Sequence, residues 1–204
     1  MINNLEIIKP LLNFEKQGDF YMLYVFKRKK DQPEEERDNH QSVRTIKTYC
    51  IESIDHLERR YEEIIQLCEM FKARAYIHVQ KQNHFDVSLS MMVDLAQRIQ
   101  NGQHNQKGLF DSVVGQIKTG EKRWIVDIDT KDIELISKIR NLVNSLRPEG
   151  NKIEAEIPTK NGLHLITKRF DVLMFHQVMS LSGEVPDIQK KNPTLLYYPD
   201  SLDV

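Results

Sequence analysis

The chain is poor in cysteine: among 204 residues only Cys50 and Cys68 carry a thiol. Two thiols so far apart have no metal-type spacing, and Cys68 falls on the apolar side of an expected helix. A reduced, buried thiol follows. Long apolar runs are also missing, and no stretch approaches the ~20 residues that cross a bilayer. The opening residues Met1-Ile2-Asn3-Asn4 lack the basic-then-apolar pattern of a signal peptide. The expectation is a cytoplasmic protein with no membrane partner. The formal net charge is −1, which excludes a global basic field, so any nucleic-acid binding needs a local patch. There is no internal repeat and no low-complexity tract. What is present is ordinary, at 40% apolar and 29% charged residues. The length suits a single compact domain of two lobes better than two independent domains.

Hydrophobic patterning divides the chain near residue 120. Phe20 to Phe26 is aromatic and β-branched enough for a buried strand, and Val43 to Ile51 reads as its hairpin partner. The connection is a charged excursion, Lys27-Arg28-Lys29-Lys30, then Asp31 and Glu34-Glu35-Glu36, expected to be a solvated loop. A helix is expected over 55–73, with Leu57, Tyr61, Ile64, Ile65, Cys68 and Phe71 at helical spacing. A third strand over 75–79 and a helix over 88–99, stopped by Asn101-Gly102, complete an N-terminal α/β lobe at 1–120. Residues 103–120, rich in Gly, Gln and Asn around the amphipathic piece 109–117, read as the join.

From 121 to 204 the order becomes strand, helix, strand, strand, helix, strand. Strands are expected at 123–129, 152–158, 162–168 and 194–198, and helices at 131–146 and 171–182. That β-α-β-β-α-β order is the RRM-like, ferredoxin-like unit with strand order 4-1-3-2. The fold class is therefore α+β. Both helices would cover one face of that sheet and leave the other free for function, with Ile153, Ala155 and Ile157 toward the helices and Glu154, Glu156 and His164 away from them.

The chemistry concentrates on this free face. Trp124-Ile125-Val126-Asp127-Ile128-Asp129 ends an apolar run with two acids one residue apart. Strand alternation puts Asp127 and Asp129 on one face and Trp124, Val126 and Ile128 on the other. Close carboxylates repel unless a cation sits between them, and hard divalent ions prefer such oxygen ligands. Some thirty residues later Thr159-Lys160-Asn161-Gly162-Leu163-His164 brings a Gly-x-His strand. In the expected strand order His164 and the start of the fourth strand lie at the end where the aspartates sit, which favours Asp187 as a third acid. Asp171 reads as a helix N-cap and Asp200 as part of a polar tail. Asp129 or Thr130 could likewise cap the helix at 131.

These motifs resemble the archaeo-eukaryotic primase superfamily, most closely its small primase-polymerases and the polymerase domain of bacterial end-joining ligases. Apolar residues with Asp-x-Asp, then a small polar residue with a glycine-containing turn and His, then a further acid, are that family's three motifs. Here Pro186 stands where an apolar residue usually precedes the third acid. The resemblance implies a metal-dependent nucleotidyltransferase that adds nucleotides to a DNA or RNA strand. Asp127, Asp129 and Asp187 would hold Mg²⁺ or Mn²⁺, and His164 would contact the phosphates of the incoming nucleotide with Lys160, Asn161 and Gly162. Lys168 and Arg169 are further phosphate or template contacts, and Arg44, Lys47 and Arg74 candidate template contacts. The implied partners are nucleotides, DNA and separate helicase or other replication proteins.

Two other classes compete. An Asp-Asp-His site also suits a metal-dependent nuclease or phosphohydrolase, since it serves water as well as a hydroxyl nucleophile. A haloacid-dehalogenase-like phosphatase would want Thr or Val two residues after the second Asp, where Lys131 stands. An inactive RRM-like module that binds nucleic acid or protein is the third class. Ile125, Asp127 and Asp129 occupy the face where such modules present aromatics.

Overall fold

In the computed structural model, which describes residues 1–32, 43–117, 122–181 and 183–202, the chain opens with a short strand β1 (Ile2–Asn3), a one-turn helix α1 (Leu5–Ile8) and a long strand β2 (Asp19–Arg28). β3 (Val43–Ile51) pairs antiparallel with β2. Of the charged excursion between them, Lys27 and Arg28 continue β2 and Lys29–Asp31 form a 3-10 turn. Glu34, Glu35 and Glu36 lie outside the described residues. α2 (Ile54–Phe71) starts where the Ser53 side chain accepts a hydrogen bond from the His56 amide, and it buries Leu57, Tyr61, Ile64 and Cys68 along one stripe. β4 (Arg74–Ile77), β5 (Gln82–Asn83), α3 (His84–Gln100) and α4 (Leu109–Gln116) follow.

The second half runs β6 (Trp124–Ile128), α5 (Ile133–Ser145), β7 (Ile153–Pro158), β8 (Leu163–Thr167), α6 (Val172–Ser180), β9 (Asp187–Gln189) and β10 (Thr194–Tyr198). The architecture is α+β, with two antiparallel sheets and, among the described residues, six α-helices. The larger sheet has the order β1-β10-β4-β2-β3, with β5 pairing β2. The smaller has the order β7-β8-β6-β9.

Three expectations are corrected. Residues 194–198 form a strand but not in the smaller sheet: β10 pairs with β1 and β4 instead. All five of its residues are buried, as a strand enclosed on both faces requires. The three-residue β9 takes the place beside β6. Second, the face of the small sheet away from its helices is not free. Ile125, Ile157 and Ile166 join one core with Ile8, Leu11, Val79 and Leu196, because three isoleucines on that face need cover. Val126, Ile128 and Leu165 turn to the helical side, against Ile139, Val143 and Phe175.

Third, the alternation along β7 reverses. A register shift between Ile153 and Ala155 inserts an extra residue. Ala155 and Ile157 therefore turn to the shared core, and Glu156 meets Arg140 of α5.

A buried Asn4 and a partly buried Arg123 fasten the sheets together. The Asn4 amide donates to the carbonyls of Pro158 and Leu195, both at 2.9 Å. Arg123 donates to the Leu11 carbonyl at 2.7 Å and pairs with Glu154.

Candidate functional site

Register brings three of the expected residues side by side. On β6, Asp127 stands opposite His164 of β8 and, on its other flank, opposite Asp187 of β9. Directly opposed residues on antiparallel strands share a face, so the three side chains line one row across the sheet. That row lies where the small sheet meets the larger one. His164 is 5% exposed, while Asp127 is half-buried and Asp187 exposed.

Nε2 of His164 lies 3.3 Å from Oδ1 of Asp127. A carboxylate can only accept, so Nε2 carries the proton. In the neutral ring Nδ1 then accepts from the Thr194 hydroxyl, at 2.9 Å. The Gln189 amide donates to the other oxygen, Oδ2, at 3.0 Å. The contact with His164 holds the Asp127 carboxyl below its ordinary range, against the upward push of burial, and the charge of Arg28 and the Gln189 amide act in the same direction.

Asp129 lies one residue beyond the end of β6 and is exposed. It does not cap the helix, and neither does Thr130. Asp132 does, accepting from the amides of Glu134 and Leu135. Asp171 caps α6, accepting from the Met174 amide, and Asp200 pairs with the N-terminal ammonium.

The turn at 159–162 closes on the same end of the sheet. The Thr159 amide donates to the Gly162 carbonyl at 2.9 Å, and the Gly162 amide donates to the Thr159 hydroxyl at 3.2 Å. A Cβ at Gly162 would stand 1.9 Å from the Ile128 carbonyl oxygen and 2.8 Å from the Thr130 amide nitrogen. Glycine is thus required for backbone to lie on backbone beside Asp129. Asn161 is exposed, and the Lys160 ammonium lies 5.4 Å from the Tyr198 ring centroid.

Other expected residues are not brought to this point. Lys168 and Arg169 follow the far end of β8, opposite Trp124, roughly 13 Å along the strand from His164. Arg74 is 7% exposed and pairs with Asp31 at 2.7 Å, and Lys47 pairs with Glu63. Both are committed within the protein rather than presented to a template, because each faces a carboxylate on a neighbouring element. Arg44 is exposed on β3, in the larger sheet.

Sequence reading missed three members of the site. Gln189 follows Asp187 by two residues, so strand parity could have placed both on one face. Thr194 is fully buried, and its role depends on β10 belonging to the other sheet. Arg28 ends the aromatic strand β2 and donates to the Tyr76 hydroxyl at 2.6 Å. Both belong to the larger sheet and reach the row only through tertiary packing, Arg28 acting on Asp127 and Thr194 on His164.

The donor set is of hard oxygens, suited to Mg²⁺ or Mn²⁺. Among the described residues no group of three or more acidic, histidine or cysteine side chains closes around one point. Asp127 and Asp187 are the two carboxylates that register sets face to face. Among those same residues, no helix is long and apolar enough to cross a membrane. Compared with known proteins, the chain matches no family model, no curated protein and no solved structure.

Proposed function

We propose that the chain is a metal-dependent nucleotidyltransferase of the primase-polymerase type, extending a DNA or RNA strand from nucleoside triphosphates. The observation that carries this is the cross-strand row Asp187–Asp127–His164. Residues distant in sequence, chosen for an acid-acid-histidine chemistry, stand as immediate neighbours on one face. The strand order β7-β8-β6-β9, with α5 and α6 on one side, supports an RRM-like catalytic unit.

The residues divide the work as follows. Asp127 and Asp187 supply two carboxylates, and Asp129 adds a third at the open end. Mg²⁺ commonly binds through one or two carboxylates and completes its shell with water and substrate phosphate, which two opposed aspartates satisfy. When bound, the ion would neutralise the triphosphate and favour ionisation of the attacking 3′-hydroxyl. His164, with both ring nitrogens engaged, holds the Asp127 carboxylate in place and reaches a phosphate only by releasing it. Arg28 brings a fixed positive charge to the same seam, and Lys160 and Asn161 stand at its mouth for the phosphate tail.

The test is incorporation of labelled ribo- and deoxynucleotides on primed and unprimed DNA templates with Mn²⁺. Synthesis abolished in Asp127→Ala supports nucleotidyl transfer. Degradation without synthesis would assign the site to hydrolysis, and neither activity would overturn a catalytic role. Cytoplasmic action beside a separate helicase belongs to the same proposal, and co-purification with replication proteins would test it.

A further inference from the structure

We propose that a groove at the Trp124 end of the small sheet binds the sugar–phosphate backbone of a single-stranded nucleic acid. The groove has a volume of about 400 Å³, and Lys122, Arg169, Lys190 and Lys191 line it above Trp124 and Ile117. Topology explains the gathering. Lys122 precedes β6, Arg169 follows β8, and Lys190 and Lys191 follow β9. In the antiparallel order β8-β6-β9, those three positions fall at one end of the sheet.

In a chain of net charge −1, four cations in one groove form a local basic patch. Among the described residues, no acidic side chain lines it and none of the four is in an ion pair. Such unneutralised charge on a defined concave surface repels itself and is stabilised by a polyanion. The arrangement is also held open. The Lys191 ammonium donates to the Gly115 carbonyl at 2.8 Å, and the Gln80 amide donates to the backbone carbonyls of Lys190 and Arg123. The Lys190 ammonium stands 5.1 Å from the Trp124 ring centroid.

Cations above an aromatic and aliphatic floor match a nucleotide unit, whose phosphate seeks charge and whose base seeks an apolar face. An acidic peptide would use the charge and leave the floor idle. Trp124 and Asp127 are three residues apart on β6, roughly 10 Å. Strand alternation puts them on opposite faces of the sheet, Trp124 with the helical side, so the groove is a site apart from the candidate catalytic row. Binding in the groove does not rest on the proposed nucleotidyl transfer.

The experiment is a fluorescence-anisotropy titration of the whole chain with a labelled oligothymidylate of about twelve nucleotides, at several salt concentrations. The expected result is binding whose log K falls with log salt by roughly 0.7 per phosphate neutralised. The double variant Lys190→Gln/Arg169→Gln should bind roughly tenfold more weakly, with a shallower salt slope. Lys107→Gln, exposed and outside the groove, should match the unsubstituted chain. Strand binding that persists in Asp127→Asn keeps the outcome separate from the catalytic one. Absence of binding at low salt would overturn the proposal, as would equal binding by the double variant. So would displacement of the oligonucleotide by polyglutamate at matched charge, or a groove that takes free nucleoside triphosphate and no strand.

Discussion

Nε2 of His164 stands 3.3 Å from Oδ1 of Asp127, across two strands whose residues are directly paired. The contact depresses the Asp127 carboxyl, and the consequence for stability has a definite sign. A carboxyl whose folded value lies below its unfolded one contributes stability that is complete above about pH 4 and is lost as pH falls through the depressed value. Urea midpoints measured on acidification should therefore fall less steeply in Asp127→Asn than in the unsubstituted chain. Parallel curves would show that the contact is not made in solution.

His78 titrates in a different window. Burial lowers its imidazole to about 4, and its ring edge packs on Tyr24 at 5.6 Å. The unfolded chain takes up a proton near pH 6.5, so stability is full above that value and declines as pH falls toward 4, by up to roughly 3 kcal/mol. His78→Phe should remove that decline between the two values. Unfolding midpoints across this range read the effect without interference from Asp127, whose loss begins lower.

Gly162 is the most exacting position in the Gly-x-His segment. With a Cβ 1.9 Å from the Ile128 carbonyl, alanine there forces the turn off the end of β6. Overpacking of this kind costs about 1–3 kcal/mol. Thermal unfolding of Gly162→Ala should show that loss, and nucleotide incorporation should fall with it, because Asp129 leaves β6 beside the displaced backbone. A variant of unchanged stability would mean that the turn moves freely.

The Arg74–Asp31 pair is buried, with side chains 8% and 10% exposed. Among the described residues, Asp31 Oδ2 and Arg74 Nε find no further partner. Breaking a buried pair from one side leaves an uncompensated charge and costs about 3–5 kcal/mol. Asp31→Ala should show a loss of that size in denaturant unfolding, and the double variant Asp31→Ala/Arg74→Met a smaller one. If Arg74 instead served a template, Arg74→Met would reduce the salt dependence of oligonucleotide binding while stability held.

The long elements were legible because their patterns are self-contained. β2 and β3 carry aromatic and β-branched runs, and the stripe from Leu57 to Cys68 marks α2 without reference to the rest of the fold. Which sheet a strand joins is not encoded in this way. Thr194 to Tyr198 reads as a buried strand in either sheet, and only the surrounding packing assigns it to the larger. β9 is too short for any periodicity to appear. The bulge in β7 reversed a parity that its sequence does not announce. At the site, Asp127, His164 and Asp187 were readable because strand parity and order suffice to group them. Arg28 and Thr194 were not, since they reach Asp127 and His164 only from the other sheet.

Asp187 offers the most direct test, because it enters the site solely through its register opposite Asp127. The measurement is Mn²⁺-dependent nucleotide incorporation by the intact chain and by Asp187→Asn, with thermal unfolding of both. Loss of a metal-held carboxylate should lower incorporation by roughly a hundredfold, and the exposed side chain should leave stability unchanged to within about 0.5 kcal/mol. Equal incorporation by the two proteins, or none by the unsubstituted chain, would contradict the assignment of this row of residues to nucleotidyl transfer.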